Sequence, residues 1–263
     1  AQVEAVLYQM MAGACSVLKE SNCALVGGHT CEGSELALGF VINGAVDQDR
    51  ALTKGGLRPG ESLVLTKPIG TGTLFAAEMR MKAKGAWISR ALDGMVKTNR
   101  DAALILREHG SQACTDVTGF GLLGHLQEMV QASPGVEVDL HMDSVPELEG
   151  ARECTQAGIF SSLQPANLRL KRAVRNEKEA LKHPGYPLLF DPQTAGGLLA
   201  SVPTEAAARC VAELRDAGYP HAAVIGEVRA DPGGKRSQRD VPADGVGDGE
   251  FCPLSRGSIY CKV

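Results

Sequence analysis

The chain has 263 residues, enough for one large domain or two smaller ones, with 44% apolar and 22% charged residues, as in ordinary globular proteins. A net charge of -4 argues against a surface built to grip nucleic acid, which needs a basic face. No apolar run reaches the roughly 18 residues that a membrane-spanning helix requires.

Val3, Val6, Leu7, Met10, Ala14, Val17 and Leu18 recur at three- and four-residue steps and predict one amphipathic helix, ending near Ser21 and Asn22. A short strand is expected at 24–26. Residues 36–46 (LALGFVINGAV) predict a longer strand that is apolar on both faces, suited to burial between layers or in a dimer interface. The polar stretch 47–60 holds Gly55-Gly56 and Pro59-Gly60 and reads as a linker and turn, the best domain boundary.

Strands and helices alternate beyond it. Strands are expected at 62–65, 113–117, 136–142, 198–202 and 222–228, and helices at 73–84, 88–108, 120–131 and 204–217. This pattern means a layered α/β or α+β domain. From Arg229 onward the chain is rich in Gly, Pro, Asp and basic residues and should be disordered or loosely attached. The eight cysteines form no C-x-x-C pair and no zinc-finger spacing, and suit reduced thiols in the cytoplasm.

Four stretches carry more glycine and threonine than a core needs: 26–30 (VGGHT), 70–73 (GTGT), 115–121 (TDVTGFG) and 191–197 (DPQTAGG). Three lie beside strand ends, where backbone N–H groups can converge on a phosphate. Each could equally be a tight turn supplied by glycine. Asp116 closes one short strand just before a helix. A carboxylate there can ligate Mg²⁺, or it can simply cap the helix. Residues 119–124 also match the dinucleotide-binding G-x-G-x-x-G, with Asp139 some 20 residues on. The strand before it is short and polar, so a Rossmann-type oxidoreductase stands only as an alternative. His29 sits in a glycine loop and could meet a phosphate, whereas His125 reads as structural.

Five segments together resemble the selenophosphate synthetases (selenide, water dikinases): GGHTCEGSELALGF at 27–40, LTKPIGTGTLFAAEMRMKAKG at 65–85, ACTDVTGFGLLGHLQEM at 113–129, IFSSLQPANLRL at 159–170 and LLFDPQTAGGLLASV at 188–202. The likeness runs from about residue 2 to 228. Either DVTGFG or DPQTAGGLL alone would point only to the wider aminoimidazole-ribonucleotide-synthetase-like superfamily.

The resemblance implies a two-domain α/β (α+β) fold. Residues 1–57 would be the remainder of an incomplete N-terminal ATP-binding and dimerisation domain, 58–229 the C-terminal domain, and 230–263 a disordered tail. It further implies a homodimer that makes selenophosphate from selenide, ATP and water with Mg²⁺, releasing AMP and phosphate. Gly27, Gly28, His29 and Thr30 match the loop that contacts ATP, and Asp116 matches a metal ligand. The family's catalytic cysteine or selenocysteine, its neighbouring lysine and further aspartates lie upstream of the glycine loop. No catalytic residue is therefore expected among these 263, and the chain alone is expected to be inactive. A nucleotide-binding regulatory paralogue without synthetase activity is the other reading. Lys67, Asp191 and the 70–73 loop receive no role from the resemblance.

Overall fold

The computed structural model describes residues 2–232 and 258–263. The chain forms two compact units, Ala1–Gln48 and Asp49–Val263.

The first unit holds helix α1 (Gln2–Glu20), and its remaining residues form no helix or strand up to Gln48. The helix stops in a Schellman turn. Cys23 N–H bonds Leu18 O, Asn22 N–H bonds Lys19 O, and Asn22 takes the left-handed conformation usually left to glycine. The strands expected at 24–26 and 36–46 do not form. A strand needs a neighbour to take its N–H and C=O groups, and among the described residues none pairs with either segment. Val41 and Ile42 are 87% and 66% exposed, and no residue of α1 is buried.

Among the described residues, the second unit is a six-stranded sheet covered on both faces. Its strands are β1 (Glu61–Leu65), β2 (Cys114–Asp116), β3 (Val136–His141), β4 (Leu198–Pro203), β5 (Ala223–Ala230) and β6 (Ile259–Lys262), in the order β2-β4-β1-β5-β3-β6. All neighbours are antiparallel except β3 and β6. Side chains alternate across the pleat, so Leu63 and Leu65 enter one core while Val64 enters the other. Helices α2 (Thr71–Met79), α3 (Gly85–Val96), α5 (Gly121–Gln131) and the shorter α6 (Ala151–Gln156) contribute to the larger core. Helices α4 (Arg100–Glu108) and α9 (Thr204–Asp216) cover the other face, and α7 (Gln164–Asn167) and α8 (Glu177–Ala180) are single turns.

Two expectations are corrected, and the packing adds detail to a third. The helix expected over 88–108 is two helices. Lys97 turns extended, and the Tyr219 hydroxyl pins the break by donating to Thr98 O at 2.7 Å while accepting from Ala102 N–H at 3.1 Å. Compact packing of the second unit reaches back to Asp49, ahead of the boundary expected after residue 57. Leu57 is buried in the larger core, its N–H bonds Ser133 Oγ, and Cys114 N–H bonds Thr53 O, so residues 49–57 belong to the second unit. Of the loose tail expected over 230–263, residues 233–257 lie outside the described residues, but its end forms β6. Asn176 clamps the Cys261 peptide from both sides, accepting from its N–H at 2.9 Å and donating to its carbonyl at 2.7 Å.

The topology also removes the dinucleotide-binding reading. A Rossmann unit puts consecutive parallel strands side by side, whereas β4, β1 and β5 separate β2 from β3. Asp139 is fully buried and paired with Arg229 and with Lys262 at 2.6 Å, so it is closed to a ribose.

Candidate functional site

One end of the sheet gathers three of the four glycine-rich stretches. Asp116 ends β2 opposite Leu198 of β4, and Thr66, just past β1, donates its N–H to Leu198 O. The 191–197 loop therefore lies between the 66–73 and 116–121 loops, and it binds to both.

Its contact with 70–73 is a dense lock. Gln193 Oε1 accepts from Gly70 N–H at 2.9 Å, Thr71 N–H at 3.2 Å and Thr71 Oγ1 at 3.1 Å. Thr73 Oγ1 donates to Asp191 Oδ1 at 2.7 Å, Gly72 N–H to Pro192 O at 3.1 Å, and Thr194 N–H to Thr71 Oγ1 at 2.9 Å. Gly70 is required because its φ is 127° and a Cβ there would meet Ala151 Cβ at 2.5 Å. The free N–H groups that open α2 are thus consumed within the protein. This corrects the expectation that 70–73 could cradle a phosphate. Burial pushes the Asp191 carboxyl up to about 6, although the hydrogen bonds from Thr73, Gln193 and Gly72 pull the other way.

The same loop holds the Asp116 segment. Val117 N–H bonds Gly197 O at 2.9 Å, and Gln193 N–H bonds Thr118 O at 3.0 Å. Gly196 lies against Val117, where a Cβ would come within 2.2 Å of the Val117 carbonyl oxygen. Asp116 itself is exposed, and among the described residues its carboxylate takes no hydrogen bond and faces no cation. It does not cap the next helix: Phe120 is the N-cap of α5, with no side-chain cap bond.

A free carboxylate rigidly placed at a strand end fits Mg²⁺, which binds through one or two carboxylates plus substrate phosphates. Among the described residues no group of three or more His, Cys, Asp or Glu is assembled for a metal. Asp116 would be a carboxylate that this unit offers to the ion.

Gly27, Gly28, His29 and Thr30 lie in the first unit, exposed and outside any helix or strand. A Cβ at Gly27 or Gly28 would meet nothing within 4 Å, so no packing inside that unit demands glycine.

Two arrangements escaped the sequence. Thr118 Oγ1 lies 3.2 Å from His125 Nε2, and His125 Nδ1 lies 3.0 Å from Glu128 Oε2, which pairs with Lys54 at 2.8 Å. The i, i+3 spacing of His125 and Glu128 on α5 was a legible signal, but the Thr118 and Lys54 contacts depend on the fold. Lys67 is buried at the wall of a cleft of about 450 Å³ that Arg90, Lys97, Leu148 and Tyr219 also line. Its Nζ donates to Lys97 O at 2.5 Å and Ala195 O at 3.2 Å. Burial and the neighbouring Lys97 bring its amine down to about 8.

The family profile described as "AIR synthase related protein, C-terminal domain" matches residues 58–237, most of the second unit. The second unit is therefore that domain, and the chain is of the AIR synthase-related class. The chain is 40% identical over 227 residues to a selenide, water dikinase of Pelobacter propionicus, covering 86% of this chain and 65% of that protein. A selenide, water dikinase of Caldanaerobacter subterraneus is 35% identical, with 85% and 64% covered. One of Nitratidesulfovibrio vulgaris is 38% identical over 250 residues, covering 89% of this chain and 67% of that protein. The chain belongs to the selenide, water dikinase family. It spans a little under two thirds of the length of the first two of these relatives.

Proposed function

We propose that the protein to which these residues belong makes selenophosphate from selenide, ATP and water, releasing AMP and phosphate, with Asp116 holding Mg²⁺. The observation that carries the reading is the Asp116 carboxylate, free at the end of β2 and fixed from behind by the 191–197 loop. Mg²⁺, when bound, neutralises charge spread over the transferring phosphates. The protein's share is to keep the Asp116 carboxylate at a fixed position without a competing cation. The bare backbone at Gly27 and Gly28, followed by His29 and Thr30, suits close approach to a polyphosphate, whose oxygens accept from N–H groups.

The exposed apolar run at 36–46 is suited to cover by a second copy in a homodimer. No described helix is long and apolar enough to cross a membrane, and every described cysteine is free, which suits a protein of the cytoplasm.

The test is selenide-dependent AMP release from ATP and Mg²⁺ by the full-length protein as encoded, followed by ³¹P NMR. A selenophosphate signal that Asp116→Ala abolishes is the expected result. ATP binding with no selenide-dependent AMP would overturn the synthetase reading in favour of a regulatory nucleotide-binding protein.

A further inference from the structure

We propose that Thr118 is a further ligand-binding residue of the Asp116 loop. Its hydroxyl oxygen would serve as a hydrogen-bond acceptor for water on the cation held there, with His125 and Glu128 as positioning residues that fix its orientation. The inference rests on Asp116 holding a divalent cation.

The first observation is placement. Burial alternates along the end of β2 and just past it: Asp116 is exposed, Val117 is fully buried, and Thr118 is half-buried. Extended chain puts residues two apart on one face, and the backbone bonds of Val117 and Thr118 to Gly197 and Gln193 hold this segment in place. Carboxylate and hydroxyl thus share a face, with Cα atoms roughly 7 Å apart. That separation suits a carboxylate on the ion and a hydroxyl on one of the several waters that Mg²⁺ retains.

The second observation is the direction of the hydrogen bonds. Glu128 pairs with Lys54, and a carboxylate can only accept, so His125 Nδ1 carries the proton between them. In the neutral ring Nε2 is then an acceptor, and the Thr118 hydroxyl must donate to it. With its hydrogen committed inward, Thr118 Oγ1 has lone pairs left to accept from outside.

A hydroxyl with nothing behind it rotates freely and could offer either its hydrogen or its lone pairs. Here His125, held by Glu128, removes that freedom, as carboxylate–histidine pairs do elsewhere for groups that serve metals. His125 is buried against the Phe120 ring, 5.6 Å between centroids, and so cannot swing away. A purely structural role would be satisfied by either hydroxyl direction. The proposal requires one.

Two measurements on the full-length protein decide it. The first needs no substitution: ¹⁵N NMR of labelled histidine should show His125 with a proton on Nδ1 and none on Nε2. A proton on Nε2 overturns the proposal. The second is Mn²⁺ affinity, read by water-proton relaxation in the presence of a non-hydrolysable ATP analogue. Thr118→Val should weaken it three- to tenfold, Thr118→Ser should restore it to within twofold, and Asp116→Ala should weaken it at least thirtyfold. If Asp116→Ala has no effect, the metal reading of Asp116 fails. If Asp116→Ala weakens binding while a folded Thr118→Val does not, the assignment of Thr118 alone fails.

Discussion

Gln193 and Thr71 lie 122 residues apart in the chain, yet one oxygen of the glutamine takes both the N–H and the hydroxyl of the threonine. The same oxygen accepts from Gly70 N–H, and the amide nitrogen donates to Asp191 O at 2.7 Å and Asp191 Oδ2 at 3.1 Å. Glutamine is needed here because a single side chain must accept on one side and donate on the other. Gln193→Ala strands buried donors at about 1–3 kcal/mol each and should lower the melting temperature by several degrees. Gln193→Glu keeps the acceptor but sets a carboxylate against Asp191. It should be less stable than the parent at pH 7 and recover on acidification to pH 5, as the two carboxyls come to share a proton. Thermal melts at the two pH values check this, and a Gln193→Glu protein as stable as the parent at pH 7 would remove the donor role.

Asp191 gives a stability term of defined sign. Its folded pKa of about 6 lies above the ordinary 3.8, so the folded state holds a proton that the unfolded state has released between those values. The contribution is fully present below about pH 4 and is lost as pH rises through about 6. It amounts to about 3 kcal/mol across that window. Other carboxyls titrate in the same range, so the quantity to measure is a difference. Urea unfolding of the parent and of Asp191→Asn at pH 4, 5, 6 and 7 should show the parent's advantage shrinking with pH. A difference that stays flat across the window would contradict the raised pKa.

The cysteines divide sharply by environment. Burial pushes the Cys114 and Cys261 thiols up to about 12 and Cys210 up to about 11, with the Asp116 carboxylate adding to the effect at Cys114 and Glu213 at Cys210. Cys154 is raised as well by burial and Glu153, whereas Cys15 and Cys31 are exposed. Since the thiolate is the reactive form, brief iodoacetamide treatment of this chain at pH 8 followed by peptide mapping should label Cys15 and Cys31 ahead of the buried Cys114, Cys154, Cys210 and Cys261. Modification of Cys114 or Cys210 within the same minutes would contradict the burial.

The sequence made the second unit largely legible because its sheet is covered on both faces. The strands expected at 62–65 and 198–202 and the helix expected at 204–217 form within a residue of their expected bounds, as Glu61–Leu65, Leu198–Pro203 and Thr204–Asp216. Tertiary contacts account for most of the differences. The Tyr219 hydroxyl divides the 88–108 helix, and the Asn176 amide draws the chain's end into the sheet after a stretch with few apolar residues to suggest it. In the first unit the apolar pattern at 36–46 has the character of a strand, but pattern alone cannot supply a pairing neighbour. Asp116 was legible as a strand-end carboxylate, although its alternative as a helix cap could be removed only by seeing Phe120 in that place. Gln193, Thr118 and Glu128 were not legible as site residues, because their hydrogen bonds join loops distant in sequence or depend on rotamers that spacing does not fix.

The glycines divide into those packed against backbone and those facing open space, and substitution can tell the two apart. At Gly196 an added Cβ would sit 2.2 Å from the Val117 carbonyl oxygen, and at Gly197 it would sit 2.5 Å from Lys67 N, both against backbone that cannot give way. Gly196→Ala should therefore force the 191–197 loop off the Asp116 segment. We expect a loss of at least about 2 kcal/mol in unfolding free energy, together with weakened Mn²⁺ binding. Gly28→Ala meets open space and should leave the melting temperature within about a degree of the parent. If Gly27 to Thr30 contact ATP, the same methyl group stands between backbone and phosphate, and nucleotide affinity should fall about tenfold without any change in stability. Isothermal titration with a non-hydrolysable ATP analogue, run beside melts of both variants, checks the pair. Unchanged nucleotide affinity in a fully stable Gly28→Ala protein would remove the loop from the ATP site, while equal stability of Gly196→Ala and the parent would mean that the two loops are not held together as described.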